Sequence, residues 1–557
     1  MKQYSSKKSI QLLAHHLDAL GVHHFVISPG SRNAPIAIHF TQIENFHCYS
    51  IVDERSAAFV AMGMAKQLGK PVGVICTSGS AAVNYYPAVT EAFYQNIPLL
   101  LLTADRPTDF VDLFDGQTIR QKNIFHQHSY GDFELKEDGD FEAEESNAEI
   151  LTKAISLCIE KQGPVHINIP LEEPLYEFVT EIKKFRTPEV VMAQSQYTLP
   201  SKLAAEWNAA KKILILTGTL KDNAELQMLL AQIVKNHSAV VLTEVNSNLH
   251  DDKFFNHIDR YIFNFSEEDY RAYAPDLLIT VGQNVVSKKV KQFLRKAQPT
   301  QHWHIDKHWH PDTYFALTER VKAAPEVFFQ QLLSVARLEP HSYFNLWTNL
   351  KDKADHRHTQ FLPKVPFSDF LAMSYLSKAI PQDYHIHFSN SSVIRYAQLF
   401  DFKHTIHCNR GTSGIDGSTS TAMGYAMVSD SPTVLITGDI GFFYDINGLW
   451  NQYIPPYTRI ILLNNGGGDI FKIIPGPSQA MALNEFIATT HHKSAEALAK
   501  HFGFEFTQAS DDITLSRILS KFFENSAKPK ILEINTQNVD NASVLKQYFR
   551  EVSPKNE

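Results

Sequence analysis

The chain has 557 residues, a formal net charge of -8 and a pI near 6.4. This acidic balance argues against a nucleic-acid partner, which would need a basic surface. No apolar run approaches the roughly 20 residues that cross a bilayer, so we expect no membrane association. The four cysteines are far apart in sequence and form no CxxC pair, which is typical of reduced thiols in the cytoplasm. We therefore expect a soluble cytoplasmic protein, and an enzyme.

Three stretches of the chain repeat one pattern, in which a short apolar run precedes a helix-length segment. Such runs predict strands that are buried on both faces, as in parallel sheets covered by helices. The sequence therefore predicts an α/β fold with three doubly wound parallel-sheet domains, at residues 1–185, 190–350 and 360–557. The runs lie at 24–27, 72–75, 99–102, 165–169, 213–216, 240–242, 277–279, 303–305, 385–388, 434–436, 460–463 and 531–534.

The third of these stretches is rich in glycine. Eleven of the 24 glycines fall between Gly411 and Gly476. This density indicates that the backbone passes close to a ligand, although a series of ordinary turns would give the same pattern.

A candidate metal site follows two of the predicted strands in this region. Gly438-Asp439 follows one strand, and Asn465 opens an Asn-Gly-Gly-Gly segment after the next. Ligands of an open parallel sheet bind beyond the carboxyl ends of its strands, so the two segments should lie side by side. A carboxylate, an amide oxygen and a backbone carbonyl are hard donors that suit Mg²⁺. We predict a metal site formed by Asp439, Asn465 and Gly467.

Gly438-Asp439, followed by Asn464-Asn465, resembles the diphosphate motif of thiamine-diphosphate (ThDP) enzymes. Ile440 stands at the third position of the first segment, where the motif usually has glycine. The resemblance implies ThDP and Mg²⁺ (or Mn²⁺) as cofactors. It also implies a pyrimidine-binding (PYR) domain at 1–185, a central α/β domain at 190–350 and a diphosphate-binding (PP) domain at 360–557. The implied cofactor contacts are Glu54, Ser78, Gly79, Gly411, Ser413, Gly414, Ile415, Gly438, Asp439, Ile440, Gly441, Asn465, Gly467, Ile470 and Phe471.

Two of these positions carry specific roles in the family. Ile415 matches the apolar residue over which ThDP bends, in a segment whose glycines could present backbone amides to an anion. Glu54 matches the catalytic glutamate, which faces N1′ of the aminopyrimidine and promotes its imino form. An Asp-Glu-Arg triplet alone is more often the exposed start of a helix. In the family this glutamate serves the diphosphate site of another subunit. The resemblance thus implies at least a homodimer, with a homotetramer left open and the active sites at the subunit interface.

Further motifs closely resemble those of the family of 2-succinyl-5-enolpyruvyl-6-hydroxy-3-cyclohexene-1-carboxylate (SEPHCHC) synthases of menaquinone biosynthesis. The resemblance extends from about residue 10 to residue 550. It implies a transferase that decarboxylates 2-oxoglutarate and adds the resulting succinyl carbanion to isochorismate by conjugate (1,4) addition, giving SEPHCHC and CO₂. Gly466 and Asp469 depart from the family pattern, which leaves the hydrogen bonding of their loop open. The motifs lie at 28–35, 77–81, 103–107, 116–121, 390–395 and 410–417.

The resemblance also implies a set of substrate contacts. Both substrates carry two carboxylates, which arginine is suited to clamp, although any one of these arginines alone could be a surface residue. Lys289 is an alternative to Lys288, and Ile470 and Phe471 are implied to line the apolar side together with Ile473 or Ile474. The implied substrate contacts are Ser31, Arg32, Arg106, Gln117, Lys288, Ser391, Arg395 and Arg410.

Three alternatives remain beside this interpretation. Another ThDP-dependent 2-oxoacid decarboxylase or synthase, for example one that handles pyruvate, would not need so many arginines. A flavin-bearing acetolactate synthase is disfavoured because no GxGxxG follows Gly218 or Gly282. A catalytically inactive scaffold of the same fold need not retain Glu54, Asp439 and Asn465, all of which are present.

Overall fold

The structure, a computed structural model, describes residues 2–188, 197–473 and 479–553. These residues form three separate parallel sheets whose strands alternate with helices along the chain. Every one of the twelve predicted apolar runs lies in a strand. The predicted α/β class with doubly wound sheets is therefore confirmed.

The first sheet is built from the N-terminal third of the chain. Its elements are β1 (Tyr4–Ser5), α1 (Lys8–Ala19), β2 (His24–Ile27), α2 (Ala34–Phe40), β3 (His47–Ser50), α3 (Glu54–Leu68), β4 (Val72–Cys76), α4 (Ser80–Asn84), α5 (Tyr86–Gln95), β5 (Leu99–Asp105), β6 (Asp132–Glu134), α6 (Phe141–Lys161), β7 (Val165–Pro170) and β8 (Phe178–Val179). Strands β2 to β7 are parallel in the order β3-β2-β4-β5-β7-β6, and β1 pairs with β8 in a separate antiparallel ribbon.

The second sheet has five parallel strands in a linear array. Its elements are α7 (Ser201–Ala209), β9 (Ile213–Thr217), α8 (Ala224–Lys235), β10 (Val240–Leu242), α9 (Ile258–Ile262), α10 (Glu267–Ala272), β11 (Leu277–Val281), α11 (Lys288–Ala297), β12 (Gln301–Asp306), β13 (Glu319–Lys322), α12 (Pro325–Val335) and α13 (Ser342–Phe361). The strand order is β10-β9-β11-β12-β13.

The third sheet is formed by the C-terminal part of the chain. Its elements are α14 (Asp369–Ala379), β14 (His385–Phe388), α15 (Ser392–Ala397), β15 (Ile406–Cys408), α16 (Ser418–Met427), β16 (Thr433–Gly438), α17 (Asp439–Tyr444), β17 (Arg459–Asn464), α18 (Ile470–Ile473), α19 (Glu496–His501), β18 (Glu505–Ala509), α20 (Asp512–Phe522), β19 (Lys530–Asn535) and α21 (Asn541–Val552). The six parallel strands follow the order β15-β14-β16-β17-β19-β18.

The first and third sheets have the same topology. Numbered by appearance in the chain, the strands of each sheet follow the order 2-1-3-4-6-5. In both sheets the order reverses between the first and third strands, which are β2 and β4 in one sheet and β14 and β16 in the other. Doubly wound sheets bind their ligands at this reversal, beyond the carboxyl ends of the strands. The fold therefore provides two corresponding places for a ligand.

Two helices join the first and third sheets through an unusually close contact. Helix α3 crosses α16 at a pair of glycines, one on each helix. A Cβ atom at Gly63 would lie 2.0 Å from the carbonyl oxygen of Thr421, and one at Gly424 would lie 2.0 Å from that of Val60. Only glycine allows the two backbones to approach so closely. This contact fixes α3, which begins at Glu54, against the third sheet of the same chain.

The strands absent from the sequence prediction share one position. Strands β3, β6, β13, β15 and β18 lie at the edges of the three parallel sheets, and β1 and β8 form a two-stranded ribbon in which both strands are edges. An edge strand is covered less completely than a central one, so it does not need a continuous apolar run. Strand β13, for example, buries only Val321 of its four residues.

The predicted domain limits fall on two different kinds of segment. The first limit, near 180–200, overlaps residues 189–196, which lie outside the described residues. The second, near 345–365, falls on helix α13, whose His358 is hydrogen-bonded to Tyr548 of α21. The exact limits stay a prediction. Within the described ranges, no helix combines the length and apolar character needed to cross a membrane.

Candidate active site

A cavity of about 300 Å³ opens where strands β14, β16 and β17 of the third sheet end. This is the reversal point of that sheet, so the cavity lies where the topology places a ligand. The described residues that form its walls all lie between Asp369 and Thr489. The predicted residues among them are Ser391, Ile415, Gly438, Asp439, Ile440, Gly441, Asn465, Gly467 and Phe471.

The carboxylate of Asp439 is fixed by the backbone on both of its oxygens. Oδ2 accepts hydrogen bonds from the N–H groups of Gly466 (2.8 Å) and Gly467 (3.0 Å). Oδ1 accepts one from the N–H of Ile440 (2.6 Å). The side chain is 2% exposed and presents its negative charge at the cavity wall.

Asn465 presents an oxygen at the same wall. Its Nδ2 donates to Oδ2 of Asp369 (2.7 Å). Its Oδ1 is buried and has no hydrogen-bond partner among the described residues. A buried amide oxygen without a partner is costly unless a ligand takes it. Burial raises the pKa of Asp369, which holds this amide from behind, to about 7.

These observations fit a divalent cation. The described residues contain no group of three or more His, Cys, Asp and Glu side chains that could hold a metal. Three acids line the cavity, of which Asp369 is hydrogen-bonded to Asn465 and Asp469 is paired with Lys472. The third, Asp439, lies there together with the unpartnered amide oxygen of Asn465 and the backbone of Gly467. Mg²⁺ commonly takes few protein ligands and completes its shell with water and phosphate oxygens. The donor set therefore matches a cation that arrives with a phosphorylated cofactor.

The loop that follows β17 contains the two departures from the family pattern, Gly466 and Asp469. Gly466 has a φ of +80°, a conformation that glycine adopts without strain. Its contribution to the site is its backbone N–H, which every residue except proline has. Asp469 is 4% exposed, and it forms an ion pair with Lys472 at 2.6 Å.

Apolar side chains line the cavity together with Asp439. Ile415 is one of them, with 39% of its surface exposed, and its carbonyl oxygen lies 3.4 Å from the position of a Cβ at Gly441. Phe471 also lines the cavity and is 36% exposed. Ile470 precedes it in α18. The alternatives Ile473 and Ile474 cannot be compared, because the side chain of Ile473 and all of Ile474 lie outside the described residues.

The segment before Ile415 has a different environment from the one expected. The N–H groups of Gly411 and Thr412 donate to the carboxylate of Glu91 on α5, each at 2.6 Å. Gly411, Ser413 and Gly414 are not among the cavity-lining residues that the structure describes. The carboxylate of Glu91 therefore accepts hydrogen bonds from backbone N–H groups that the sequence predicts to face an anionic ligand.

The start of helix α16 also has an internal partner. The N–H and the hydroxyl of Ser420 both donate to Asp445, each at 2.7 Å. Asp445 is 1% exposed, and burial raises its pKa to about 7. The positive end of this helix thus faces a carboxylate of the same chain.

Glu54 follows strand β3 at the carboxyl end of the strands of the first sheet. It is the first residue of α3, whose N-terminus is capped by the side chain of Asp53. The Glu54 carboxylate is half-buried and has no hydrogen-bond partner in the described parts of the chain. Its negative charge acts on the buried Cys76 thiol and Tyr85 hydroxyl and helps to raise the pKa of each, although burial is the larger cause. Glu54 is absent from the lining of the cavity in its own chain.

Several predicted residues meet beside Glu54 at this end of the first sheet. The N–H of Gly79 donates to Oε1 of Gln121 (2.7 Å), and the Gly79 backbone packs against that of Gln117. Ser78 is buried next to it, whereas Ser31 is exposed.

The two arginines of this group are held in place by the chain itself. Arg32 donates to the carbonyl oxygen of Leu171 (2.8 Å) and lies 3.2 Å from the carboxylate of Glu173. Arg106 donates to the carbonyl oxygen of Gly116 (2.9 Å). Burial and then the charge of Arg106 lower the pKa of Arg32. The two like charges would both be stabilised by an anion between them.

A second pair of arginines lies near the cavity. Arg410 donates from its NH1 nitrogen to Oδ1 of Asn390 (3.0 Å), while its Nε is buried without a partner among the described residues. Burial lowers the pKa of Arg395. The negative charge of Asp259 raises this pKa, and the positive charge of Arg410 lowers it. Ser391, at the cavity wall, has a φ of +71°. Strain of this kind is common where a side chain must be aimed at a ligand.

Helix α11 begins with the two lysines that could contact a substrate. Lys288 is exposed at the first position of the helix and has no partner among the described residues. Lys289 instead places its Nζ 4.3 Å from the ring centroid of Phe263. Of the two, Lys288 is the one free to reach a ligand.

Three residues of this site escaped the sequence analysis. Asp369, Glu91 and Asp445 are buried acids that hold functional segments. Each acts on a residue far away in sequence, so no local spacing indicates its role. Ser389 and Asn390 also line the cavity. Their position directly after a predicted strand could have indicated that they belong to the site.

Comparison with known proteins gives a consistent identification. The family model described as "Thiamine pyrophosphate enzyme, N-terminal TPP binding domain" matches residues 8–131, and the model described as "Middle domain of thiamine pyrophosphate" matches residues 172–383. These matches establish ThDP (thiamine pyrophosphate) as the cofactor of the chain.

Three relatives, each named a SEPHCHC synthase, match almost the whole chain. The relative from Flavobacterium johnsoniae is 45% identical over 96% of this chain and 97% of its own length. Those from Flavobacterium psychrophilum and Porphyromonas gingivalis are 46% and 36% identical, over 96% and 99% of this chain and 96% and 98% of their own lengths. The chain belongs to the SEPHCHC synthase family of ThDP-dependent enzymes.

Proposed function

We propose that the protein decarboxylates 2-oxoglutarate and adds the resulting succinyl unit to isochorismate, forming SEPHCHC and CO₂ for menaquinone biosynthesis. The observation that carries this assignment is the two arginine pairs, Arg32 with Arg106 and Arg395 with Arg410. Burial lowers the pKa of Arg32, and the charge of Arg106 lowers it further. Burial likewise lowers the pKa of Arg395, and the charge of Arg410 adds to this effect. Two dicarboxylate substrates would offset this repulsion, whereas pyruvate offers a single carboxylate.

The protein's own groups would divide the work between cofactor and substrate. Asp439, Asn465 and the carbonyl of Gly467 would hold Mg²⁺ or Mn²⁺ and, through it, the diphosphate. When bound, ThDP supplies a nucleophilic carbon and accepts the electrons left by the loss of CO₂. Glu54 would hold a proton at N1′ of the aminopyrimidine, and Ile415 would support the bent cofactor. Arg395 and Arg410 would orient the substrate carboxylates.

A second copy of the chain would complete this site. The described residues that line the cavity all lie between Asp369 and Thr489, and Glu54 is not among them. In the first sheet Glu54, Arg32 and Arg106 follow the carboxyl ends of β3, β2 and β5. A homodimer that places this end of the first sheet of one copy over the cavity of the other would bring the two sets together. A homotetramer made of two such dimers would do the same.

The proposed reaction is tested by product analysis. Protein loaded with ThDP and Mg²⁺ is mixed with 2-oxoglutarate and isochorismate, and the product is identified by mass spectrometry. We expect SEPHCHC, with little free succinic semialdehyde until isochorismate is supplied. Equal turnover of pyruvate and 2-oxoglutarate, or indifference to isochorismate, would contradict the proposal and leave a general ThDP decarboxylase.

Replacing the arginines near the cavity should separate substrate binding from cofactor binding. Removing one donor from a buried, charged hydrogen-bond pair costs about 2–5 kcal/mol. Arg395→Ala and Arg410→Ala should therefore each lower kcat/KM by well over tenfold and leave ThDP affinity unchanged. Steady-state kinetics with each substrate varied in turn will show which carboxylate each arginine holds. Arg517→Ala, at an exposed position of α20, is the matched control and should behave as the wild type.

A further inference from the structure

We infer that Asp369 is a positioning residue for the metal ligand Asn465, a role that rests on the metal site proposed above. Asp369 is the first residue of α14 and is 1% exposed. Its carboxylate accepts the hydrogen bond from the side-chain nitrogen of Asn465 at 2.7 Å. The side-chain oxygen of Asn465 remains without a partner among the described residues. Asp369 thereby leaves this oxygen available to a cation.

The carboxylate of Asp369 is itself immobilised by two further segments. Its Oδ1 accepts a hydrogen bond from the hydroxyl of Thr536 (2.6 Å), which directly follows β19. Its backbone N–H donates to Oδ1 of Asn541 (2.8 Å), the first residue of α21. The group that faces Asn465 is therefore held by the start of α14, the end of β19 and the start of α21.

The chemical reason for such a group is the symmetry of the amide. The oxygen and nitrogen ends of an asparagine side chain have nearly the same shape, but only the oxygen can bind a cation. The carboxylate of Asp369 accepts at both of its oxygens, from the hydroxyl of Thr536 and from the side-chain nitrogen of Asn465. Facing Asn465 from behind, it therefore selects the nitrogen and turns the oxygen toward the cavity. Groups that orient metal ligands in this way typically change metal affinity by 10–100-fold when they are removed.

The first test compares two replacements of Asp369. Asp369→Leu has similar size and no acceptor, whereas Asp369→Asn can still accept from Asn465 while its own amide donates to Thr536. Apoprotein at saturating ThDP is titrated with MgCl₂ and followed by its thermal midpoint and by calorimetry. We expect Asp369→Leu to raise the Mg²⁺ concentration for half-maximal response by about 10–100-fold, and Asp369→Asn to raise it by less than about 3-fold. An unchanged response in Asp369→Leu would overturn the inference.

The second test separates orientation from general support of the fold. Asn465→Asp presents an oxygen in either orientation, so it does not need an orienting partner. It also places a carboxylate against that of Asp369, and the two repel each other. In the Asn465→Asp background, Asp369→Leu should therefore leave Mg²⁺ binding unchanged or strengthen it. Equal weakening in both backgrounds would show that Asp369 only supports the fold and would overturn the inference.

Two controls keep the outcome decisive. If Asp369→Leu does not fold, the test compares Asn465→Asp with the double variant Asn465→Asp/Asp369→Asn. Adding Asp369→Asn should restore the Mg²⁺ affinity of Asn465→Asp. If the affinity does not recover, the inference is overturned. Asp439→Ala reports on the underlying metal site. A normal Mg²⁺ response in Asp439→Ala would refute the proposed site itself. Loss of the response there, together with an unchanged response in Asp369→Leu, would refute only the role of Asp369.

Discussion

Glu54→Gln is expected to slow exchange of the ThDP C2 proton into D₂O by about 10²–10⁴-fold, the usual contribution of a general acid–base group. Glutamine preserves the shape of the side chain but cannot take up or release a proton. Because the diphosphate anchor at Asp439 and Asn465 is untouched, ThDP affinity should fall only modestly. Rapid-quench exchange followed by NMR of the released cofactor measures the effect directly.

The location of Glu54 explains why the loss should be large. The carboxylate is half-buried at the first position of α3, and no group in the described residues donates a hydrogen bond to it. Its carboxylate oxygens are therefore available to N1′ of the aminopyrimidine. Glu145→Gln, an exposed glutamate on α6, is the matched control and should exchange at the wild-type rate. A loss below tenfold in Glu54→Gln would contradict the assigned proton role.

The sheets show which parts of a fold a single sequence can predict. Central strands such as β5 and β16 are buried on both faces, and their apolar runs are therefore continuous and easily recognised. Edge strands such as β13 and β18 are only partly covered, and their mixed composition resembles that of a loop. The strand order needed the structure, since the shared topology of the first and third sheets leaves no repeat in the sequence.

The candidate site divides in a similar way. Residues that directly follow a strand, such as Asp439 and Asn465, are indicated by short motifs because the turn and the ligand are local. Residues that support them are not local. Asp369 holds Asn465 from 96 positions away, and Glu91 holds Gly411 from 320 positions away. Both carboxylates are buried, which strengthens their hydrogen bonds to Asn465 and Gly411. The burial of a single acid cannot be predicted from its neighbours in sequence.

Asp439→Ala is expected to abolish the stabilisation of the protein by ThDP plus Mg²⁺. A ligand present at 100 times its Kd stabilises the folded state by about 2.7 kcal/mol, and this gain should fall to nearly zero. The change removes the negative charge at the cavity wall and also releases the N–H groups of Gly466 and Gly467, which donate to Asp439. The carbonyl of Gly467 would then lose its fixed position together with the charge.

Calorimetric unfolding with and without ThDP and Mg²⁺ separates this effect from a general loss of stability. The apo form of Asp439→Ala should still unfold cooperatively, whereas the shift caused by the ligands should vanish. Asp352→Ala, at an exposed position of α13, should keep the full shift. Asp439→Asn is the sharper comparison, because its amide oxygen can still accept from the N–H groups of Gly466 and Gly467, while the charge and the acceptor for the N–H of Ile440 are lost. If Asp439→Asn also loses the shift, the cation requires the carboxylate itself and not merely the ordered loop. A full ligand shift in Asp439→Ala would place the metal elsewhere.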